Sequence, residues 1–431
     1  MKKILAFALA ILFVLLAVSC GKGSDEGFTP KGSDEGFTPS LDPETKCTIT
    51  VVGHYDNFEA LEAEFIRFRS YYPNVTLKYD KLDNYNKIVS TALVEGNPDI
   101  FFSFPWMIAS EDNRAIFENA EDLSDSALGI DLSCIRDGLL NEDPDGKVSL
   151  VPVYTTTYGM LINEKIFEAE NLSVPKTYDE LVEVCGKLKD AGYANPIMGY
   201  NKNTSLLYSL FFPYFCGSIA GNKEAVRKLN DLQSSAGEYM RGALELIEDF
   251  MGRGFVDLES CDQIKDDYEA VILRFFEGDV PIMLASGSTV SGTEKREAKS
   301  VAFTENKFAY SFHPVPSTAE GGYFLNTISL GFSVNKNSEN LAVANEFMRF
   351  LISTGELNRM ALGKRMVTPC KDMKFDGIYR AFGEVPESRT IYMYDLGLAD
   401  APDKQVRLAG AQVTNQTMTV DEAVRAFGTL K

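Results

Sequence analysis

Thr48-Ile49-Thr50-Val51-Val52 is a β-branched run that reads as a strand, and the residues after it decide the fold class. Phe58, Leu61, Phe65 and Phe68 recur at helical spacing, with Pro73 beyond the helix end. Val75 to Tyr79 reads as a second strand. Ile88 to Val94 belongs to a second helix closed by Gly96-Asn97-Pro98, and Asp99 to Phe104 is a third strand, apolar enough to be buried on both faces. Strand, helix, strand, helix, strand predicts a parallel sheet with right-handed crossovers, so the chain reads as α/β.

Further along, the middle of the chain is mostly helical. Tyr178 to Leu188 starts at Thr177, a good N-cap, with Glu180 three residues on as in a capping box. Tyr239, Ala243, Leu246 and Phe250 mark one face of another helix, which stops at Gly252. Val280 to Ala285 reads as a strand ending in Ser286-Gly287-Ser288. Thr327 to Val334 is another, followed by a helix through Ala342, Phe347 and Leu351. A chain of 431 residues is too long for one hydrophobic core, so two domains are expected.

The start of the chain is of a different kind. Lys2 and Lys3 precede an unbroken apolar run from Ile4 to Val18, which ends in Leu16-Ala17-Val18-Ser19-Cys20. The run is shorter than the ~20 apolar residues a spanning helix needs and reads as a secretory signal over residues 1–19. Cys20 looks like the acylated cysteine of a lipobox. Lys22-Gly23-Ser24-Asp25-Glu26-Gly27-Phe28-Thr29-Pro30 is then repeated unchanged from Lys31 to Pro39. This composition buries little apolar surface, so residues 20–45 are expected to be a lipid-bearing, flexible linker. The chain is thus expected outside the cytoplasmic membrane, anchored through Cys20 and facing the periplasm or the cell exterior.

The formal net charge is −20, which argues against nucleic acid or anionic lipid as a partner. Cys47, Cys134, Cys185, Cys216, Cys261 and Cys370 are widely spaced with no C-x-x-C, so neither a zinc site nor a redox motif is indicated. They either pair in the exported chain or pack as small hydrophobes. With only His54 and His313, no multi-histidine metal site is available. There is no G-x-S-x-G elbow, P-loop or G-x-G-x-x-G, and the carboxylates are too many for a glycosidase pair to be picked out. No cofactor, metal or catalytic residue is expected, and the chain reads as a binder rather than an enzyme.

Several blocks, in order, resemble the family 1 extracellular solute-binding proteins of ABC importers, the maltose-binding-protein-like group. They begin with Pro98-Asp99-Ile100-Phe101-Phe102. Next come Val151-Pro152-Val153-Tyr154, Leu161 to Phe167 (Leu-Ile-Asn-Glu-Lys-Ile-Phe) and Val174 to Leu181 (Val-Pro-Lys-Thr-Tyr-Asp-Glu-Leu). Phe276-Glu277-Gly278-Asp279-Val280-Pro281-Ile282-Met283 is similar to the family's Phe-x-x-Gly-x-x-Ala-Met segment. Asn335-Lys336-Asn337-Ser338 and Ala344 to Leu351 complete the set. The resemblance implies a two-lobed periplasmic-binding-protein-like α/β fold with a hinge of more than one crossing strand. The implied lobes are residues 46–153 plus about 315–365, and residues 154–314 plus about 366–431. It also implies a monomeric receptor that captures a small solute, a carbohydrate first, in the interlobe cleft and delivers it to an ABC permease. A secreted lipoprotein enzyme or a surface adhesin on the same scaffold is the alternative.

In such a cleft the ligand contacts lie past strand ends and at hinge crossings. That places Tyr55 after the first strand and Trp106, the only tryptophan, after the third. Tyr154, Thr156 and Tyr158 fall at the first hinge, and Ser288 past the strand from Val280. Tyr323 and Asn326 fall at a second crossing expected between Val315 and Asn326. Arg365 lies in a loop that resembles the family's cleft-lining loop. Aromatic rings with hydroxyls and amides suit a sugar, whose apolar face packs on a ring while polar groups take its hydroxyls. Trp106 also suits a core or rim position, His54 reads as a structural histidine, and either hinge tyrosine could simply pack the hinge. Gly287-Ser288 lacks the tryptophan the family often carries there, which weakens the case for an oligosaccharide in particular.

Overall fold

β1 (Cys47–Gly53) and β2 (Val75–Lys81) pair in parallel, with Cys47 opposite Val75 and Gly53 opposite Lys81. On the other side of β1 lies β3 (Ile100–Ser103), also parallel, with Val51 opposite Ile100. These pairings come from a computed structural model that describes residues 36–95, 98–108, 114–140, 142–143, 145–264 and 268–430. Residues 1–19, Cys20 and most of the duplicated segment lie outside the described residues.

β3 is buried along its whole length, as its apolar Ile100-Phe101-Phe102 predicts, with Ser103 buried at its end. β11 (Phe324–Val334) runs antiparallel to β3, with Gly331 opposite Ser103, and also pairs antiparallel with β4 (Val151–Thr156). β12 (Thr390–Tyr392) adds in parallel at the other end of β11, giving the order β12-β11-β3-β1-β2. The helix Glu59–Phe68 covers this sheet with Leu61, Phe65 and Phe68 inward. Each such aromatic contributes about 1.5–3 kcal/mol by leaving water.

A second sheet has the order β6-β7-β5-β8, from β5 (Tyr158–Asn163), β6 (Ile197–Met198), β7 (Ile282–Ser286) and β8 (Tyr310–His313). The helices Tyr178–Asp190, Phe212–Ile219, Arg241–Gly252 and Asp400–Thr414 pack around it. Thr177 caps the first of these by accepting from the Glu180 amide. The expected reciprocal bond is not made there, because the Glu180 carboxylate accepts from Lys176 N–H instead. A complete capping box occurs at Thr419 and Glu422, where the sequence reading did not look.

The buried apolar residues divide the chain into two lobes. One core takes Ile49 to Tyr154 together with Ile328 to Cys370. The others take Met160 to Leu325 together with Val367 to Phe427. The segment Val315 to Tyr323 does not cross between them. Val315 packs in the second core, and β9 (Pro316–Thr318) with β10 (Gly321–Gly322) forms a small antiparallel pair. The crossing lies instead within β11, between Leu325 and Ile328, because the strand is long enough to serve both sheets' surroundings without a turn.

Residues 37–41, placed by composition in the flexible linker, are held on the first lobe. The Phe37 ring sits 5.1 Å from Tyr71 and 5.3 Å from Phe350, and the Arg349 guanidinium lies 4.5 Å over it. One phenylalanine in an otherwise polar repeat is enough to dock where an aromatic slot is waiting.

Candidate functional site

A cavity of about 800 Å³ lies between the lobes, and strand ends supply much of its lining. β1 ends at Gly53 and leads into His54 and Tyr55. A Cβ at Gly53 would sit 2.5 Å from the Phe102 ring, so only glycine allows this approach. β3 ends in Ser103 and leads to Phe104 and Trp106, whose rings stack at 6.0 Å and 11°. Trp106 is 42% exposed and faces the cavity. The carboxyl ends of the parallel strands thus open onto the cleft, as the crossover geometry requires.

The hinge contributes the opposite wall. The Tyr158 ring stacks on Tyr208 at 4.9 Å, and Tyr208 stacks on Phe212 at 5.5 Å. The Arg407 guanidinium lies 4.5 Å over Phe212, hydrogen-bonds the Tyr208 hydroxyl and is neutralised by Asp403 at 2.6 Å. Burial holds the Tyr158 phenol well above its usual range, and burial pushes Tyr394 up to about 12. Both phenols therefore stay neutral at pH 7 and can donate as well as accept. Tyr55 and Tyr154 share a hydrogen bond at 2.5 Å between their hydroxyls. Burial and Lys364 lower the His54 pKa, so its imidazole is neutral at pH 7.

Of the residues expected at the site, Tyr55, Trp106, Tyr154, Thr156, Tyr158 and Ser288 line the cavity. Gly287 lets the end of β7 close onto the hinge: a Cβ there would lie 2.7 Å from the Thr156 and Tyr379 hydroxyls. Tyr323 is not among the lining residues. Its ring packs against Gly217, where a Cβ would be 2.3 Å away, and lies 6.4 Å from Tyr214. Asn326 is fully buried just behind the cleft, donating to the Thr155 hydroxyl at 2.9 Å and the Thr156 carbonyl at 3.2 Å. Arg365 turns away because its backbone is left-handed, at φ +50°; its guanidinium donates to Thr293 at 3.1 Å and pairs with Glu294. Its neighbours Lys364 and Met366 line the cavity instead.

The sequence reading missed Tyr208, Tyr394, Lys364 and Arg407. Tyr208 lies in a single π-helical turn, Leu207–Phe211, a local widening that often marks functional sites but has no periodic signature. Among the described residues, no group of His, Cys, Asp and Glu could hold a metal ion, and no helix is long and apolar enough to cross a membrane.

Two α/β lobes around an aromatic cleft rich in hydroxyls define a binding protein that encloses a small solute between its halves. The family described as bacterial extracellular solute-binding protein matches residues 54–357, and the chain belongs to it. Comparison with curated proteins gave no match. Among solved structures, the apo form of RafE from Streptococcus pneumoniae is similar at 19% identity and TM-score 0.67, over 90% of this chain and 98% of that one. A family 1 extracellular solute-binding protein from Bifidobacterium longum subsp. infantis aligns at 16% identity and TM-score 0.65, over 89% and 98%. The GacH receptor of Streptomyces glaucescens aligns at 17% identity and TM-score 0.64, over 89% and 97%.

Proposed function

We propose that the protein is an exported receptor, anchored by lipid on Cys20, that captures a carbohydrate in the interlobe cleft and presents it, as a monomer, to an ABC permease. The observation that carries this reading is the pair of aromatic platforms in one cavity: Trp106 over Phe104, and Tyr158 over Tyr208. Rings of this kind pack on the apolar faces of sugars, and the hydroxyl-bearing Thr156, Ser288 and Tyr394 line the same cavity to meet the polar edges. The structurally similar RafE has been solved with raffinose and GacH with acarbose, which supports a saccharide here. Closure would turn the lobes about the crossings near Thr155, Asn326 and Val367. The chain binds and releases its solute unchanged.

Isothermal titration against a panel of mono- and oligosaccharides tests the reading. Saturable binding that moves Trp106 fluorescence is expected. Absence of binding to every saccharide, or steady turnover of a glycoside, overturns it.

A further inference from the structure

We infer that the solute is an anionic carbohydrate, one bearing carboxylate or sulfate groups; this rests on the carbohydrate reading above. Four cations line the cleft, Lys87, Arg296, Lys364 and Arg407, and among the described lining residues there is no aspartate or glutamate. The rest of the chain is strongly acidic, with 62 Asp and Glu against 42 Lys and Arg. A surplus of positive charge along the described lining of an interlobe cavity runs against the composition of such a chain. Arg407 is already satisfied by Asp403. Arg296 is held more loosely: its Nη1 donates to the Gly292 carbonyl at 3.3 Å, its Nε is buried without a hydrogen-bond partner, and Glu269, 3.8 Å away, is also held by Lys299 at 2.8 Å.

Lys364 is the most telling of the four. Its ammonium lies 4.5 Å over the Tyr55 ring and 5.0 Å over Phe58, and no described carboxylate lies within ion-pair distance. Burial and the nearby Lys295 lower its pKa, against a weaker pull from Glu59. A half-buried ammonium held beside aromatic faces has given up hydration without gaining a counter-charge, and an anionic ligand supplies it. Neutral sugars gain from carboxylate acceptors for their hydroxyl protons, and the described lining offers none.

The test compares matched pairs by titration calorimetry: trigalacturonate with galactotriose, and a sulfated with an unsulfated chondroitin disaccharide. The anionic member of a pair is expected to bind about tenfold or more tightly at low salt, with affinity falling as sodium chloride rises. Lys364→Gln is expected to shrink the anionic-over-neutral affinity ratio and flatten its dependence on sodium chloride; a ratio equal to that of the wild type overturns the role given to Lys364. If neutral members bind equally well or better, the inference fails and the carbohydrate reading stands. If no saccharide of either kind binds, both fail. If inorganic sulfate alone competes as well as the sulfated sugar, the inference is overturned, because the sugar then adds nothing to the anion.

The geometry also points, independently, to a disulfide between Cys134 and Cys370. Ile135 faces Cys370 in an antiparallel bridge, Lys371 N–H donates to the Cys134 carbonyl at 2.8 Å and Arg136 N–H to the Pro369 carbonyl at 3.0 Å. The Cys134 thiol donates to the Asp131 carbonyl and the Cys370 thiol to the Thr354 carbonyl, the Cys370 side chain is the main influence that raises the Cys134 pKa, and Cys134 is partly exposed, so an oxidant can reach it. Exchange with a small-molecule disulfide such as oxidised glutathione balances the step. The two thiols lose two protons and two electrons to form the S–S bond, and the donor disulfide is reduced to two thiols. Peptide mapping of exported protein, alkylated in denaturant without reductant, is expected to give a Cys134–Cys370 cross-linked peptide and a midpoint that falls on reduction. Alkylation of both residues, before and after exposure to oxidised glutathione, overturns the assignment.

Discussion

Arg136 Nη2 donates to Asn326 Oδ1 at 3.0 Å, joining two buried polar side chains at the point where the chain passes between the lobes. Asn326 sits on β11 and bonds to Thr155 and Thr156 of β4. Arg136 also donates to the Thr368 carbonyl at 2.7 Å and the Cys370 carbonyl at 3.2 Å, on the third passage. Burial lowers the Arg136 pKa to about 10, which still leaves the guanidinium charged at pH 7. One charge thus pins three hinge segments. Asn326→Leu keeps the approximate volume but strips acceptor and donor from groups that cannot reach water. We expect it to destabilise the fold by about 2 kcal/mol, read as a shift in the urea midpoint; a change within error would show that the network carries no stability.

Trp106 and Tyr158 are expected to separate binding from folding. Trp106 is exposed to the cleft, so Trp106→Ala should change stability by no more than about 0.5 kcal/mol while costing about 1–3 kcal/mol of ligand affinity as a lost packed anchor. Tyr158→Ala should cost both, because its ring also supports Tyr208. Calorimetric affinity and thermal midpoint measured on the same two variants check this. Unchanged affinity in both would mean that the solute lies elsewhere in the cavity.

Glu346 gives the docked segment a pH dependence. Burial disfavours its charge, but hydrogen bonds from Arg349, Tyr72 and Ser40 outweigh that and lower its pKa. A carboxylate depressed in the folded state contributes stability that is complete above its unfolded pKa, about 4.3, and is lost as the pH falls through the folded value. Hydrogen exchange at the Ser40 amide, which donates to Glu346 at 2.8 Å, should therefore lose protection in acid. In Glu346→Gln the protection should be weaker at neutral pH and flat across that range. Equal acid sensitivity in the variant would place the titrating group elsewhere.

Much of the fold was legible because the core strands and helices have plain patterns: Ile100, Phe101 and Phe102 of β3 are apolar and buried, and Leu61, Phe65 and Phe68 lie on one helix face. The cleft residues at strand ends, Tyr55, Trp106 and Ser288, were legible for the same reason, since strand polarity fixes where the crevice opens. What failed depends on backbone detail that patterns do not carry. Arg365 adopts a left-handed conformation and hands the cleft to Lys364. Tyr323 follows a glycine pair that forms a hairpin rather than a hinge. Tyr208 and Arg407, far apart in sequence, meet only through helix packing in the second lobe.

The proposed anchor yields the last prediction. Residues 1–19 have the charge, length and small-residue ending of an export signal, and Cys20 follows Leu16-Ala17-Val18-Ser19. If Cys20 is acylated, the wild-type chain labels with radioactive palmitate and partitions into detergent, and Cys20→Ser does neither. Phe37 packs between Tyr71 and Phe350 of the first lobe. Phe37→Ala should release residues 36–41 from the first lobe and expose them to limited proteolysis while leaving palmitate labelling intact. Recovery of unlabelled wild-type protein in the aqueous phase would remove the anchor from the proposed function and leave the cleft chemistry untouched.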